Sequence, residues 1–464
     1  MPLTRKQQIL AKDETIPGTE QTTFVAADAT DVLEAEFSQT RAMLERIPAS
    51  STLSRFVEAT GRGSGTLTFG VDAKGSGLAI TAPDWGRHLQ AASMKAANIP
   101  NLQLAAALTK TVYAGDLLVA ADGAAMVCLK TTASGSALIP VFVEGTNPGT
   151  GLAVLSLNYG STSIGTTHAV TPITGNVGWS YNPISDQELQ FTTTAAWGAP
   201  APVPGEVIVV TAAGIQVGAL IVTTAPSGST TFAEHVWGLI PASATLSATG
   251  GGTATVAAVP AITQVRGKSL TLRHNRDRLA RTIYGARGNV GLSAEAGGHG
   301  TFHFTFTGKA GTVTDAAFVP GAVFATTVPP RLQGGIVVVN GLQIPVRSVE
   351  FQAGNEVIMH GDANATEGDL RAEIVARDPQ VVLVLDQVGK TSFDWWSTWS
   401  ASGTVTLGIQ FGTAGGNTIT IAASKAQVSE FSDAEEDGIA THSVTLKLRA
   451  LDPDADDEYV IAHV

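Results

Sequence analysis

The chain has 464 residues, of which 44% are hydrophobic and 15% charged, and its formal net charge is −12. That length allows roughly two to four domains with real cores, and so apolar a composition excludes a disordered chain. The acidic balance excludes a general nucleic-acid-binding coat, because such a surface repels phosphate.

Glycine (50) and proline (21) are abundant beside Thr, Ser and Val, which predicts a mostly β fold of many short strands and turns. The single cysteine, Cys128, rules out an intrachain disulfide. The opening stretch, MPLTRKQQILAKDETIPGTEQ, has no apolar run of signal-peptide length. Apolar runs such as VVLVL (381–385) are strand-sized, far below the ~20 residues of a membrane helix. The expectation is a soluble protein, with no membrane association, assembled in a cytoplasm.

In chain order, residues 1–30 read as an N-terminal arm. AEF (35–37) leads to TLTFGV (66–71), where Leu67, Phe69 and Val71 share one strand face. PDWGRHLQAASM (83–94) sets Trp85, Leu89 and Ala92 on one stripe of a short helix, with Pro83 and Asp84 suited to its first turn. Next come two similar stretches, GDLLVAADGAAMVCLKTTASGSALIPVFVEG (115–145) and GEVIVVTAAGIQVGALIVTTAPSGSTTFAEHVWG (205–238), separated by the proline-rich APAPVPG (199–205). They read as two small inserted β modules, 102–198 and 199–264, expected at the surface. After them, SLTLRHNRDRLARTIYG (269–285) reads as a hairpin around HNRDR. TFHFTF (301–306) reads as a strand with Phe302, Phe304 and Phe306 on one face.

The same order then recurs. VEF (349–351) matches AEF, and DLRAEIVAR (369–377) alternates with Leu370, Ala372 and Ile374 on one side. FDWWSTW (393–399) places Trp395 and Trp399 on one helical face. TVTLGIQFGTAGGNTITIAA (404–423) reads as a hairpin turning at Gly415-Gly416-Asn417, and SVTLKLRAL (443–451) closes the unit with Val444, Leu446 and Leu448 inward. Asp84 matches Asp394 and Leu270 matches Val405, so the first copy holds the extra chain between helix and hairpin. The first unit is therefore split, 31–101 and 265–325, and the second spans 326–464. In each, an amphipathic helix is expected to plug the open end or face of a β-sandwich through Trp85, Leu89, Trp395 and Trp399. The long links 38–65 and 352–369 do not read as compact hairpin turns, and loops of that length usually carry a binding role.

Candidate chemistry is sparse. GRGSG (61–65) lacks the Lys-Ser/Thr of a phosphate loop. In DPDADDEY (452–459), Asp452, Asp454 and Asp456 have calcium-loop spacing, but Asp457 and His463 stand where Gly and a bidentate Glu are needed. His299 and His303 flank a strand, roughly 13 Å apart at strand rise. Cys128, between Val127 and Leu129, reads as a buried, inert thiol. The sequon at Asn364-Ala365-Thr366 has meaning only in a secretory pathway. No catalytic, cofactor-binding or metal-binding residue is assigned, and a non-enzymatic role is expected.

The order DVLEAEFSQTRAMLERIP, GSGTLTFGVDAKGSG, APDWGRHLQAASM and TIYGARGNVGLSAEAGGHGTFHFTFTGKAGTVTDAAF resembles tail tube proteins of long, non-contractile-tailed bacteriophages. GNEVIMHGDANATEGDLRAEIVARDPQ, FDWWSTWSAS and GGNTITIAASKAQVSEFSDAEEDGIATHSVTLKLRA continue that similarity, which covers most of 20–100 and 265–464. The resemblance implies two tandem tail-tube-like β-sandwich or barrel domains, each with a short flanking helix. It implies a structural virion protein of the phage tail, assembled in the host cytoplasm, whose rings stack into a tube. Genomic double-stranded DNA would pass through the lumen without specific binding. The implied partners are further copies of the chain, the tape measure protein, and the tail terminator and tail tip proteins. A simple member of the family carries one domain, and six close a ring. Two domains per chain would make trimeric, pseudo-hexameric rings, with the insertion outside and the links 38–65 and 352–369 reaching toward the adjacent ring. Two other classes fit the composition. One is a carbohydrate-binding adhesin or receptor-binding tail protein, suggested by the Thr/Gly-rich modules, and the other is a β-rich hydrolase.

Overall fold

The computed structural model describes residues 6–464 apart from 46–56, 146, 157–161, 164–174, 260, 334–335, 364, 366–367 and 454. The middle of the link 38–65, Asp454 and the sequon residues Asn364 and Thr366 lie outside the described residues.

The chain is mostly β, and period-two alternation decides which faces are buried. Leu67, Phe69, Val71, Phe302, Phe304 and Phe306 are all at most 2% exposed, and so are Val444, Leu446 and Leu448. These residues join one continuous core.

Two series of antiparallel strands build the main sheet. The first runs Ala35–Leu44, Ala59–Asp72, Thr301–Asp315, Leu279–Glu295, Leu270–Arg276 and Gln7–Asp13. The second runs Val346–Gln352, Gln380–Asp386, Ile439–Leu448, Ile419–Glu436, Thr404–Phe411 and Ile336–Val339. Order and direction agree strand for strand. The irregularities agree as well, since the register slips after Leu270, opposite Ala286, and after Val405, opposite Ala426. One antiparallel joint, Gly291–Glu295 with Ser348–Gln352, fuses the two series edge to edge.

Three readings of the sequence are corrected here. Gln7–Asp13 is no free arm but the last strand of the first series, because Ile9, Leu10 and Ala11 are fully buried. The counterpart of TLTFGV is Gln380–Asp386, not DLRAEIVAR. The latter, Asp369–Arg377, pairs with Asn355–Gly361 as a separate hairpin. Its Asp369 and Arg371 are buried while Leu370 and Ile374 are only half-buried, because ionic contacts described below, not apolar alternation, set its inner face. Finally, both long links carry antiparallel ladders among their described residues. Ser38–Leu44 pairs with Ala59–Thr66, so the ladder runs on into the link.

The inserted modules are also copies of one topology. The first is ordered Val154–Ser156, Leu117–Ala120, Ala125–Cys128, Leu138–Glu144 and Asn101–Gln103. The second is ordered Thr245–Ala248, Val207–Ala212, Ile215–Ser227, Thr230–Gly238 and Glu188–Thr192. Each has its own core. Between them the chain returns to the main sheet, where Trp179–Pro183 pairs with Met94–Asn98 and with Val460–His463. The modules are thus centred on 101–163 and 188–266, and the boundary expected at 198/199 falls earlier. The return strand is held by Tyr181, which is fully buried against Trp85.

Candidate functional site

The two short helices, α1 (Gly86–Ala91) and α2 (Trp395–Ser400), follow equivalent strands. Trp85 and Trp395 are each 1% exposed and Leu89 is fully buried, whereas Trp399 is 42% exposed. Trp85 packs on Tyr181 and Phe302 and donates its indole N–H to the Lys74 carbonyl at 2.9 Å. Trp395 packs on Phe393 and Phe431. Trp399 lies at the rim, not in a plug, with its N–H bonded to the Ser429 carbonyl at 3.2 Å. The shared Asp-Trp pair is not used alike. Asp394 caps α2 by accepting from the Ser397 amide, which holds its carboxyl below the usual range, while Asp84 precedes α1, whose N-cap is Trp85.

Opposite the core, the joined sheet presents a polar face that crosses both series without a break. One cross-strand row reads Asp72, Thr301, Ser293, Glu350, Val382 and Thr445. The next reads Gly70, His303, Gly291, Gln352, Gln380 and Lys447. Glu36, Glu295, Glu350 and Glu430 are exposed along these strands. His303 bonds Ser293 at 2.8 Å, while His299 lies 3.3 Å from Asp72, so the two imidazoles serve separate contacts. Among the described residues, no group of three or more His, Cys, Asp or Glu could hold a metal ion, and no helix is long and apolar enough to cross a membrane.

A buried ionic junction lies where the hairpin 355–377, the second module and the first series meet. Arg287 bonds Glu373 at 2.9 Å and the Gly267 carbonyl at 2.6 Å. Glu373 also accepts from Gln187 and pairs with Arg371. Arg371 donates to His235 Nδ1 at 2.7 Å, and His235 Nε2 donates to the Gly238 carbonyl at 3.0 Å. Burial, then the Arg371 charge, lowers the His235 pKa to about 4, so the ring is neutral and can accept that bond. Burial would raise the Glu373 carboxyl, but Arg287 and Arg371 overcome it and hold it low. Close by, Glu14 is buried under bonds from Gly18, Ser269, Thr271 and Gly285. Its pKa is nonetheless raised, chiefly by burial.

The first module is fastened to the second series. Its Gly115 backbone touches Gly408, where an added Cβ would come within 1.8 Å of the Ala114 carbonyl oxygen. Thr131 donates its amide to Gln410 at 2.8 Å. Cys128 is buried and its thiol is pushed up by burial, then by Asp116. In the acidic turn, Asp457 accepts from the Leu451 and Asp452 amides, and Asp456 pairs with Arg377 and bonds Ser185.

Sequence reasoning located the helices and missed the joint between the series. The signal available was the pair AEF and VEF, a repeated strand that is an edge in one copy and internal in the other. Fold and site together define a mostly-β protein built from two copies of one sheet unit joined side by side, with a polar face that runs across the joint. Comparison with protein-family models finds no match, and comparison with curated proteins finds no relative.

Proposed function

We propose that this chain is a structural subunit of a bacteriophage tail tube, three copies forming a ring and the rings stacking around a lumen for genomic DNA. The observation that carries the reading is the joint at Gly291–Glu295 and Ser348–Gln352, which sets two like units side by side in one sheet. Such a head-to-tail relation closes into a ring when its rotation allows. The polar, acidic face supplies a wall that DNA does not adhere to, by like-charge repulsion. The first module packs on the outer strands of the second series at Gly408, Gln410 and Ala422, and His235 of the second bonds Arg371; these contacts lie away from the rows Asp72–Thr445 and Gly70–Lys447, which suits modules on the outside of a tube. In this reading the tape measure, terminator and tip proteins meet the tube's lumen and ends. The hairpin 355–377 serves a lateral contact, because it rests on the first unit through Arg62–Asp369 and Arg287–Glu373. Electron microscopy of the purified chain tests the proposal. Stacked rings with a central channel are expected, and a protein that stays monomeric under all assembly conditions would overturn it.

A further inference from the structure

The joint between the two units is one used copy of a contact whose other copy stands open. In the used copy, Gly291 lies opposite Gln352, Leu292 opposite Phe351 and Glu295 opposite Ser348. Register identifies the unused counterparts. Ala35 pairs with Phe69, Phe69 with Phe304, and Phe304 with Val290. Likewise Val349 pairs with Leu383, Leu383 with Val444, and Val444 with Phe431. Ala35 therefore corresponds to Val349 and Val290 to Phe431, which makes Ser432–Glu436 the counterpart of Gly291–Glu295. That segment pairs with Ile439–Ser443 on one side, while on the other the strand Thr404–Phe411 stops opposite Gln427. The counterpart of Ser348–Gln352 is Glu34–Ser38. Its strand, Ala35–Leu44, has Ala59–Asp72 as its one partner among the described residues.

We propose that these two open edges pair between copies of this chain, with Ser38 of one copy opposite Ser432 of the next. Phe37 then faces Asp433, Glu36 faces Ala434 and Ala35 faces Glu435. This rests on the ring reading and names the contact that closes the ring.

Three observations support a second copy as the occupant. The open edges continue an interface the chain already contains, with the same topology on both sides. In the used copy the hairpin beyond the donated strand rests on the neighbouring unit and buries Arg371 and Ala372. The hairpin beyond the open strand is exposed along Ser38–Leu44, with Met43 at 55% and Leu44 at 56%. Beside the receiving segment, Trp396 (47%) and Trp399 (42%) are also exposed, so both sides of the open contact carry uncovered apolar surface. A long, exposed edge strand is itself a template for pairing. The Glu436 carboxylate is partly compensated by Arg347, 3.5 Å away, and Asp433 lies 2.9 Å from His442.

The test uses the full chain carrying Ser38→Cys and Ser432→Cys, both exposed positions, with a second pair, Glu36→Cys and Ala434→Cys, on the same sheet face. Directly opposed strand residues have Cβ atoms about 4.5–5.5 Å apart, close enough for a disulfide after a small shift. After assembly and mild oxidation, a non-reducing gel should show linked species of two and three chains, ending at three. Neither single variant should link, nor should Ser38→Cys with Asp433→Cys, which points to the opposite face. Rings seen by microscopy in the same samples without linkage of either pair would overturn this contact while leaving the ring reading intact. Linkage of Ser38→Cys with Ala434→Cys in place of Ser432→Cys would overturn the register. Absence of both rings and linkage would overturn the two proposals together.

Discussion

Trp85 and Trp395 are each 1% exposed at matching points of the two units, yet they are held differently. The Trp85 indole N–H reaches a carbonyl, whereas that of Trp395 has no hydrogen-bond partner among the described residues. Replacing either by Ala removes a buried aromatic and should cost ~3–5 kcal/mol, read as a lowered denaturant midpoint. Trp399→Ala, at an exposed rim, should change the unassembled chain by about 0.5 kcal/mol or less and weaken assembly instead. His235 gives a second test. Its folded pKa is depressed from 6.5 to about 4, so the unfolded chain binds the extra proton between those values. Stability from this group is present above pH 6.5 and is lost as pH falls toward 4, by about 3 kcal/mol in all. His235→Asn should flatten that part of the stability profile in equilibrium unfolding from pH 7 to 4. An unchanged slope would show that the ring is not held neutral by its burial beside Arg371.

At the scale of elements, apolar alternation made much of the fold legible. The strands around Phe69, Phe304 and Val444, both hairpins and both helices lie where period and turn residues put them. Alternation failed at DLRAEIVAR because Glu373 and Arg371 go inward to Arg287 and His235, partners 86 and 136 residues away in sequence that no local pattern reveals. It failed again at residues 1–30, where the short run Ile9–Ala11 carries no period and is buried by a strand far along the chain. Trp399 shares a helical stripe with Trp395, but a six-residue helix at a sheet rim buries one turn and leaves the next exposed. The return strand Trp179–Pro183 has a practical consequence. Deleting 102–264 removes Tyr181 from beside Trp85 and should leave mostly insoluble chain. Deleting 189–265 and joining Glu188 to Arg266, register partners in the second module, through two glycines should leave a soluble chain that still assembles. Circular dichroism and sedimentation of the two variants separate these outcomes.

At the scale of the whole molecule, duplication is the organising fact. Two like units share one sheet, two like modules share one strand order, and the joint between the units is built from backbone pairing that does not depend on side-chain identity. The width of a closed ring is set by how many units stand around it, and here each chain supplies two. In the proposed ring, one lateral contact per chain is covalent and internal, and one is formed between chains. The direct measurement is a cryo-electron microscopy reconstruction of the assembled protein with no symmetry imposed. Three copies per ring are expected, giving six sheet units around an open channel lined by Glu36, Glu295, Glu350 and Glu430, with three pairs of modules outside. Six copies per ring, or modules filling the channel, would contradict the account.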